Sequence, residues 1–175
     1  MDSEEFQLLK WISSEIAYAL KRIEKEDYLK NAKEELQKSK KSLRNLFNEN
    51  LAVMIVLDPE TRRFVNANDA ALNFYGWDKE TLLSKRIEDV NTLPAETLAE
   101  EMKKAFNREK IKFDFKHRLA DGSVKDVEVF SKRVEIDGHD RILSIIHDVT
   151  DRKVAERELQ RTVEELKKIT LTVIN

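Results

Sequence analysis

Both ends of the chain repeat apolar residues at intervals of three and four, which is the spacing of one helix face. Residues 3–47 contain neither proline nor glycine, so one long helix or two nearly continuous helices are predicted there. The apolar positions of this segment are Leu9, Ile12, Ile16, Ala19 and Ile23, then, with a slipped phase, Leu29, Ala32, Leu36, Ser39, Leu43 and Leu46. Residues 151–175 repeat the pattern at Leu159, Val163, Leu166, Thr170 and Val173. A solitary helix would leave such stripes in water, so both segments are expected to pair with a second copy, in particular through Leu36, Leu43, Leu159, Val163 and Leu166.

The middle of the chain reads as short strands and short helices, and it holds both prolines and all three glycines. Val53–Leu57 and Arg63–Asn66 are predicted strands on either side of an Asp58-Pro59 turn. The helices predicted next run from a cap at Asn68 through Tyr75, from a cap at Asp78 through Leu83, and from Pro94 onward with Leu98, Met102, Ala105 and Phe106 on one face. Gly76 is predicted to end the first of them.

Three strands are predicted after these helices. Apolar and polar residues alternate at Ile111, Phe113, Phe115, His117 and Leu119, and again at Val127, Val129 and Ser131. Asp121-Gly122 has the residues of a two-residue type I′ turn between these two strands. Asp137-Gly138 then turns the chain into a last strand at 141–149. The order of elements predicts an α+β fold with one five-stranded sheet and helices on one side.

Composition narrows the possible functions. Charged residues make up 38% of the chain against 41% hydrophobic residues, and the formal net charge is only −2, so no nucleic-acid partner is expected. The absence of cysteine excludes disulfides, thiolate catalysis and zinc ribbons, and it fits a cytoplasmic location. No apolar run approaches the length of a membrane span, and acidic residues follow Met1, so neither membrane insertion nor a signal peptide is expected.

The middle segment resembles the PAS domain family through several stretches. The stretch MIVLDPETRRFVNANDAALNFYGWDKETLLSKRI, which begins at Met54, is similar to the first two strands and the small helices of PAS domains. HRLADGSVKDVEVFS resembles the hairpin of the family's later strands, and SIIHDVTDRKVAERELQ resembles its last strand and the Asp-x-Thr exit into a signalling helix. The resemblance implies three parts: an N-terminal signalling helix over 1–43, a PAS domain over 44–150 and a C-terminal signalling helix over 151–175.

Residues 6–29, with LLKWISSEIAYALKRIEKEDYL, are similar to the terminal helix of GAF domains, which commonly precede PAS domains in sensors. A plain coiled-coil linker explains the same residues equally well. Both interpretations remain open at this point.

A ligand cavity is plausible among the aromatic and aliphatic residues of the middle segment, and a filled core is the alternative. The candidate lining residues are Leu57, Asn66, Phe74, Trp77, Leu82, Phe106, Phe113, Phe115, His117 and Val129. Asn66 and His117 would be the polar points of this cavity. For His117 a simple hydrogen-bonded role is the more common alternative.

No cofactor is predicted, although an unknown small ligand is possible. The three histidines are not spaced as metal ligands, so no metal site is expected. In haem-binding PAS domains a histidine of the long helix ligates iron, and the segment 95–108 has none. Flavin adducts and attached chromophores of related domains need a cysteine, which leaves only non-covalent flavin open. No catalytic constellation can be assembled from these residues, so enzyme activity is not expected.

Asp148, Val149 and Thr150 match the Asp-x-Thr exit, where the periodicity changes from two to 3.6. Thr150 is expected to cap the following helix, and Asp148 to accept hydrogen bonds or to pair with a base such as Arg152. In the family this junction ties the sheet to the signalling helix.

Together these features predict a sensory and signal-relay module of a larger cytoplasmic or membrane-attached receptor, for example in a two-component system. It would be a homodimer, covalently linked to an upstream sensor and to a downstream histidine kinase, diguanylate cyclase or HD-GYP-type phosphodiesterase. A scaffold that only dimerises, without ligand or switching, is the alternative.

Overall fold

The computed structural model describes the backbone of residues 3–174, and the side chains of residue 7 and residues 10–169. The side chains of Leu9, Thr170 and Val173, which belong to the predicted apolar stripes, lie outside the described residues. The chain divides into two compact units, residues 1–46 and residues 47–175.

The described residues of the first unit all lie in one helix. Helix α1 runs from Ser3–Asn48 without a break, as one of the two predicted alternatives had it. The apolar residues described between Trp11 and Leu46 are exposed within one chain, among them Leu36 and Leu43. The apolar stripe that the sequence predicts for this helix is therefore exposed to solvent in a single chain.

The second unit contains a five-stranded antiparallel sheet in the order β2-β1-β5-β4-β3, which confirms the α+β prediction. Its strands are β1 Val53–Leu57, β2 Phe64–Ala67, β3 Lys112–Arg118, β4 Val124–Ile136 and β5 His139–Asp148. Four helices lie between β2 and β3: α2 Asp69–Tyr75, α3 Lys79–Ser84, α4 Ile87–Val90 and α5 Ala95–Phe106. Helix α6, Thr150–Ile174, follows β5 directly. The four-residue helix α4 was not predicted, because one turn is too short to show a periodic pattern.

The caps of the short helices match the sequence signals. The side chain of Asn68 accepts a hydrogen bond from Ala71 N–H at the start of α2, and Gly76 ends that helix in the left-handed conformation with φ of 77°. The side chain of Asp78 accepts a hydrogen bond from Thr81 N–H at the start of α3. Local capping rules were sufficient at these positions because each cap lies within a few residues of its partner.

The two Asp-Gly turns differ from each other. Asp137 and Gly138 both have positive φ, 51° and 74°, so they form the two-residue type I′ turn between β4 and β5. At the other turn only Gly122 is left-handed, so the type I′ prediction for Asp121-Gly122 was wrong. Gly122 N–H donates to Leu119 O at 3.0 Å, and Leu119 N–H donates to Ser123 O at 2.9 Å. These bonds close a loop of three residues, 120–122, which is one residue longer than a type I′ turn.

The core lies between one face of the sheet and helices α2 to α5. Alternate residues of β1, β3, β4 and β5 point into it, as the period of two requires. A register shift between β1 and β2 brings Phe64 and Ala67, three residues apart, to the same face. The buried apolar residues are Ile55, Leu57, Phe64, Ala67, Ala71, Tyr75, Leu82, Ile87, Val90, Leu98, Ala105, Phe113, Val127, Val129, Ile142 and Ile146. The strands thus supply one wall of any internal cavity, and α5 supplies the wall opposite.

Candidate functional site

A small cavity lies between the core face of the sheet and helices α4 and α5. Its volume is about 30 Å³, enough for about one or two water molecules. Its lining residues are Ile55, Leu57, Ile87, Asn91, Leu98, Glu101, Met102, Ala105, Phe113, Phe115, His117, Val129, Ser131, Ile142 and Ser144. The site is therefore mainly apolar with a few convergent polar groups, as ligand sites usually are.

Five of the ten residues predicted for a cavity line this one. They are Leu57, Phe113, Phe115, His117 and Val129. The rings of Phe113 and Phe115 are stacked at 5.5 Å, and those of Phe115 and His117 at 6.2 Å, so a row of rings runs along the core face of β3. Phe113, Phe115 and His117 share this face because side chains alternate along β3 with a period of two.

The structure places three other candidates in the core or against it, but away from the cavity. Leu82 is fully buried in α3. Phe74 packs edge-on against Tyr75 at 5.0 Å, and Trp77 stacks on the same tyrosine at 6.2 Å. Lys85 Nζ lies 4.6 Å from the centre of the Trp77 ring. These rings fill the space around Tyr75 and leave the cavity to other residues.

Asn66 and Phe106 face other directions. Asn66 pairs with Val56 across β1 and β2, and the neighbours of Val56 in β1 line the cavity, so Asn66 belongs to the opposite sheet face. Phe106 follows Ala105 by one residue, which is about 100° around the helix axis. Its ring lies 4.5 Å from the Arg133 guanidinium carbon and lines an open surface groove instead.

Four polar lining residues were not predicted: Asn91, Glu101, Ser131 and Ser144. Ser131 and Ser144 are opposite each other on β4 and β5, and their hydroxyl oxygens are 2.8 Å apart. The period-two alternation could have indicated Ser131, which follows Val127 and Val129 on the same face. Glu101 accepts hydrogen bonds from Lys104 at 2.6 Å and from Lys110 at 2.7 Å, which hold the pKa of its carboxyl below the ordinary value.

His117 belongs to a buried hydrogen-bonded row with Tyr75 and Asn91. Its Nδ1 is 2.9 Å from the Tyr75 hydroxyl oxygen, and its Nε2 is 3.4 Å from Asn91 Nδ2. Because Asn91 Oδ1 accepts a hydrogen bond from Leu93 N–H, the amide nitrogen is the group that faces the imidazole. Burial at 1% exposure lowers the pKa of His117 to about 3, so the ring is neutral. His117 thus lines the cavity and is also hydrogen bonded.

No group of three or more histidine, aspartate and glutamate side chains that could hold a metal ion occurs among the residues that the structure describes. Within residues 3–174, no helix combines the length and the apolar character needed to cross a bilayer.

At the exit from the sheet the prediction that Asp148 accepts hydrogen bonds is confirmed, whereas the cap predicted for Thr150 is wrong. Thr150 is already the first residue of α6, so its hydroxyl does not cap the helix. It accepts a hydrogen bond from Asp126 N–H of β4 at 3.0 Å and donates one to Asp148 Oδ1 at 2.5 Å. Asp148 Oδ1 also accepts from Thr150 N–H at 2.9 Å, so Asp148 satisfies the free amide at the helix start.

The alternative predicted for Asp148, pairing with a base such as Arg152, occurs with a different base. Lys125 Nζ lies 3.3 Å from Asp148 Oδ2, whereas Arg152 donates to Glu128 Oε1 of β4 at 2.6 Å. Both partners come from β4, which lies beside β5 in the sheet. The junction therefore joins the last strand, α6 and β4 in one hydrogen-bonded group.

The residues proposed for dimer contacts on α6 are also exposed within one chain. They are Leu159, Val163 and Leu166. Like Leu36 and Leu43, they form apolar surface on a helix that is otherwise strongly charged.

Comparison with known proteins identifies the family. The family model of the PAS domain matches residues 51–151, more than half of the chain. Diguanylate cyclase DgcM of Escherichia coli (strain K12) is 36% identical over 117 residues, which cover 65% of this chain and 28% of that protein. This chain thus spans less than a third of the length of that curated relative.

Solved structures agree with this assignment. The PAS domain of an HTR-like protein from Haloarcula marismortui superposes with a TM-score of 0.61 at 26% identity, covering 68% of this chain and 98% of that one. A domain of a sensory box sensor histidine kinase/response regulator from Geobacter sulfurreducens has the same fold, with a TM-score of 0.55 at 18% identity, and covers 65% of this chain and 96% of its own. The chain therefore belongs to the PAS domain family.

Proposed function

We propose that this chain is a sensory and signal-relay module, which works as a homodimer and is covalently linked to an upstream sensor segment and a downstream output domain. The one observation that carries the proposal is the double role of β4. This strand lines the cavity through Val129 and Ser131, and its Asp126 backbone holds the start of α6. Val149 N–H donates to Asp126 O at 2.9 Å, which adds a second tie at the same residue. A displacement of β4 at the cavity wall would therefore also move the start of α6.

The output domain is proposed to be a diguanylate cyclase, because the curated relative at 36% identity bears that name. A histidine kinase is the second choice, on the fold likeness to a sensor histidine kinase/response regulator domain, and an HD-GYP-type phosphodiesterase is the third. The location proposed for the module is the cytoplasm, with no catalytic activity of its own. The interpretation of residues 6–29 as the end of a GAF domain is likewise a proposal.

A ligand would have to be small or would have to enlarge the cavity, since about 30 Å³ admits only water-sized molecules. No cofactor is proposed. The same small volume favours the second candidate function, a constitutive dimerisation scaffold without ligand or switching. The two candidates differ in whether the junction between sheet and α6 affects output.

The junction test uses a fusion of this chain to a diguanylate cyclase domain. Thr150→Val keeps the shape of the side chain but removes the hydroxyl hydrogen bonds to Asp126 and Asp148. Asp148→Ala removes the acceptor at the helix start. Both variants are expected to change the basal rate of cyclic di-GMP synthesis several-fold, with folding and dimerisation nearly intact. Thr150→Ser keeps the hydroxyl and is expected to retain the parent rate. If Thr150→Val and Asp148→Ala also kept it, the scaffold function would be the better account.

The dimer test replaces two exposed leucines of α1. Leu36→Glu combined with Leu43→Glu is expected to give a monomer with an intact sheet, because two carboxylates would lie in the proposed apolar seam. Light scattering at tens of micromolar protein reports the mass, and circular dichroism reports the fold. Gln37→Glu with Asn45→Glu adds the same charge away from the seam and should remain dimeric. A monomeric parent chain at this concentration would refute the homodimer.

A further inference from the structure

An ionised aspartate on β4 lies between the edge strand β3 and helix α6. Asp126 Oδ1 is 3.8 Å from Lys116 Nζ of β3, and Asp126 Oδ2 accepts a hydrogen bond from Arg157 Nη2 of α6 at 2.7 Å. Its side chain is only 11% exposed. The Arg157 hydrogen bond is the main reason that the pKa of Asp126 lies below its ordinary value. This carboxylate therefore bridges strand and helix.

Glu128 repeats the arrangement two residues further along the same strand face. Its Oε1 is 3.0 Å from Lys112 Nζ of β3 and 2.6 Å from Arg152 Nη2 of α6, and its side chain is 15% exposed. A third contact joins α6 to β3 directly, since Lys153 Nζ lies 2.8 Å from Asp114 Oδ1. Three cationic side chains in the first two turns of α6 thus pair with three carboxylates of the sheet.

These carboxylates lie on the face of the two strands that is opposite the cavity. Phe113 and Phe115 flank Asp114 and line the cavity, and Val129 does the same beside Glu128. Successive side chains of a strand point to opposite faces, so one strand carries both groups. Strand β3 is also an edge strand of the sheet, with β4 as its only neighbouring strand. A displacement of β3 at the cavity would therefore move Asp114 and the two lysines that share the β4 acids.

From this geometry we infer that Asp114, Asp126 and Glu128 form an acidic docking platform that holds the first two turns of α6 against β3 and β4. The three residues act as positioning residues, since they touch the helix and not the cavity. The contacts precede Leu159 in the sequence. They therefore hold in place the part of α6 that leads into its apolar stripe. The consequence for output rests on the relay function proposed above, whereas the docking itself does not.

Amide hydrogen exchange of the isolated chain tests this docking. Asp126→Asn combined with Glu128→Gln keeps the side-chain shapes and removes both charges. Because most of a helix's stability in a protein comes from its tertiary contacts and helix ends open first, exchange at residues 154–158 is expected to rise several-fold, while exchange in β4 stays the same. Raising the salt concentration should speed exchange at 154–158 in the parent chain and add little in the double variant, because salt screens ion pairs.

Two further variants sharpen the result. Arg157→Lys keeps a cation opposite Asp126 and should retain most of the parent's protection. Arg161→Gln is the matched control, because Arg161 pairs with Glu165 within α6 and not with the sheet; it should leave exchange at 154–158 unchanged.

Unchanged exchange of α6 in the double variant would overturn the inference. An equal rise in β4 would overturn it too, because the two acids would then support the strand and not the helix. The measurement involves neither a signal nor an output domain, so a failure here leaves the junction and dimer tests untouched. A failure of those tests in turn says nothing about docking.

Discussion

Replacing Asn68 by alanine is expected to lower the free energy of unfolding by about 3–4 kcal/mol, through loss of a helix cap and of several buried hydrogen bonds. Asn68 is fully buried. Its Oδ1 accepts from Ala71 N–H and from Met54 N–H, both at 3.0 Å. Its Nδ2 donates to Asn50 O at 3.1 Å and to Ala52 O at 2.8 Å. One amide thus ties the entry of β1 to the start of α2.

Urea denaturation of the two proteins at equal concentration measures this difference. Asn66→Ala is the matched control, since that half-buried amide accepts only the N–H of the adjacent Ala67, at 3.0 Å, among the contacts found; a loss below about 1 kcal/mol is expected there. Asn68→Asp should also destabilise strongly, because a carboxylate would face the carbonyl oxygens of Asn50 and Ala52. Similar midpoints for Asn68→Ala and Asn66→Ala would mean that water replaces the lost partners.

Asn68 also illustrates how far local sequence signals reach. Its role as a cap was predictable, because the amide it caps lies three residues away. Its hydrogen bonds to Asn50, Ala52 and Met54 were not predictable, since they depend on the pairing of β1 with β2. Local signals were also sufficient for part of the cavity, since alternation along β3 and β4 predicted Phe113, Phe115, His117 and Val129.

Residues on and between the helices were harder to assign to the cavity. Hydrophobicity indicated that Phe74, Trp77 and Leu82 pack in or against the core, as the structure shows. It did not indicate on which side of Tyr75 each ring would lie, because that depends on how the short helices cross the sheet. Asn91, which follows α4, and Glu101 on α5 were missed because polar residues at helix ends and on amphipathic helices are usually solvated. Only the tertiary fold turns these two inward.

The junction shows the same limit for charged groups. The sequence placed Asp148, Thr150 and Arg152 at the sheet exit, and all three lie there. Asp148 and Thr150 are hydrogen bonded to each other, as nearby residues can be. Their other partners lie on β4: Asp126 for Thr150 and Lys125 for Asp148, while Arg152 pairs with Glu128. Pairing between nearby residues is a reasonable default from sequence, yet a neighbouring strand also supplied partners here.

Acid is expected to destabilise the domain well above the pH at which carboxylates protonate, because His117 is buried in its neutral form. Its pKa is about 3 in the folded chain against an ordinary value of 6.5. The unfolded chain therefore binds a proton in the window between these values that the folded chain does not bind. Stability is unaffected by this group above pH 6.5 and falls as the pH drops below it, by about 2 kcal/mol at pH 5.

Urea midpoints of the parent chain and of His117→Gln between pH 7.5 and pH 5 test this expectation. The variant is expected to be less stable than the parent at pH 7.5, because Tyr75 loses its partner at 2.9 Å. Its stability should nevertheless depend less on pH, since glutamine does not titrate. His139→Gln, which replaces an exposed imidazole, is the matched control for the loss of one histidine. The carboxylates held at lowered pKa, such as Asp126 and Glu128, lose their contribution to stability only at more acidic pH, so they do not obscure the window between pH 7.5 and pH 5.

An equal slope of stability with pH for His117→Gln and the parent would show that the imidazole can take up a proton inside the folded domain. His117 would then be a titrating group at the cavity wall.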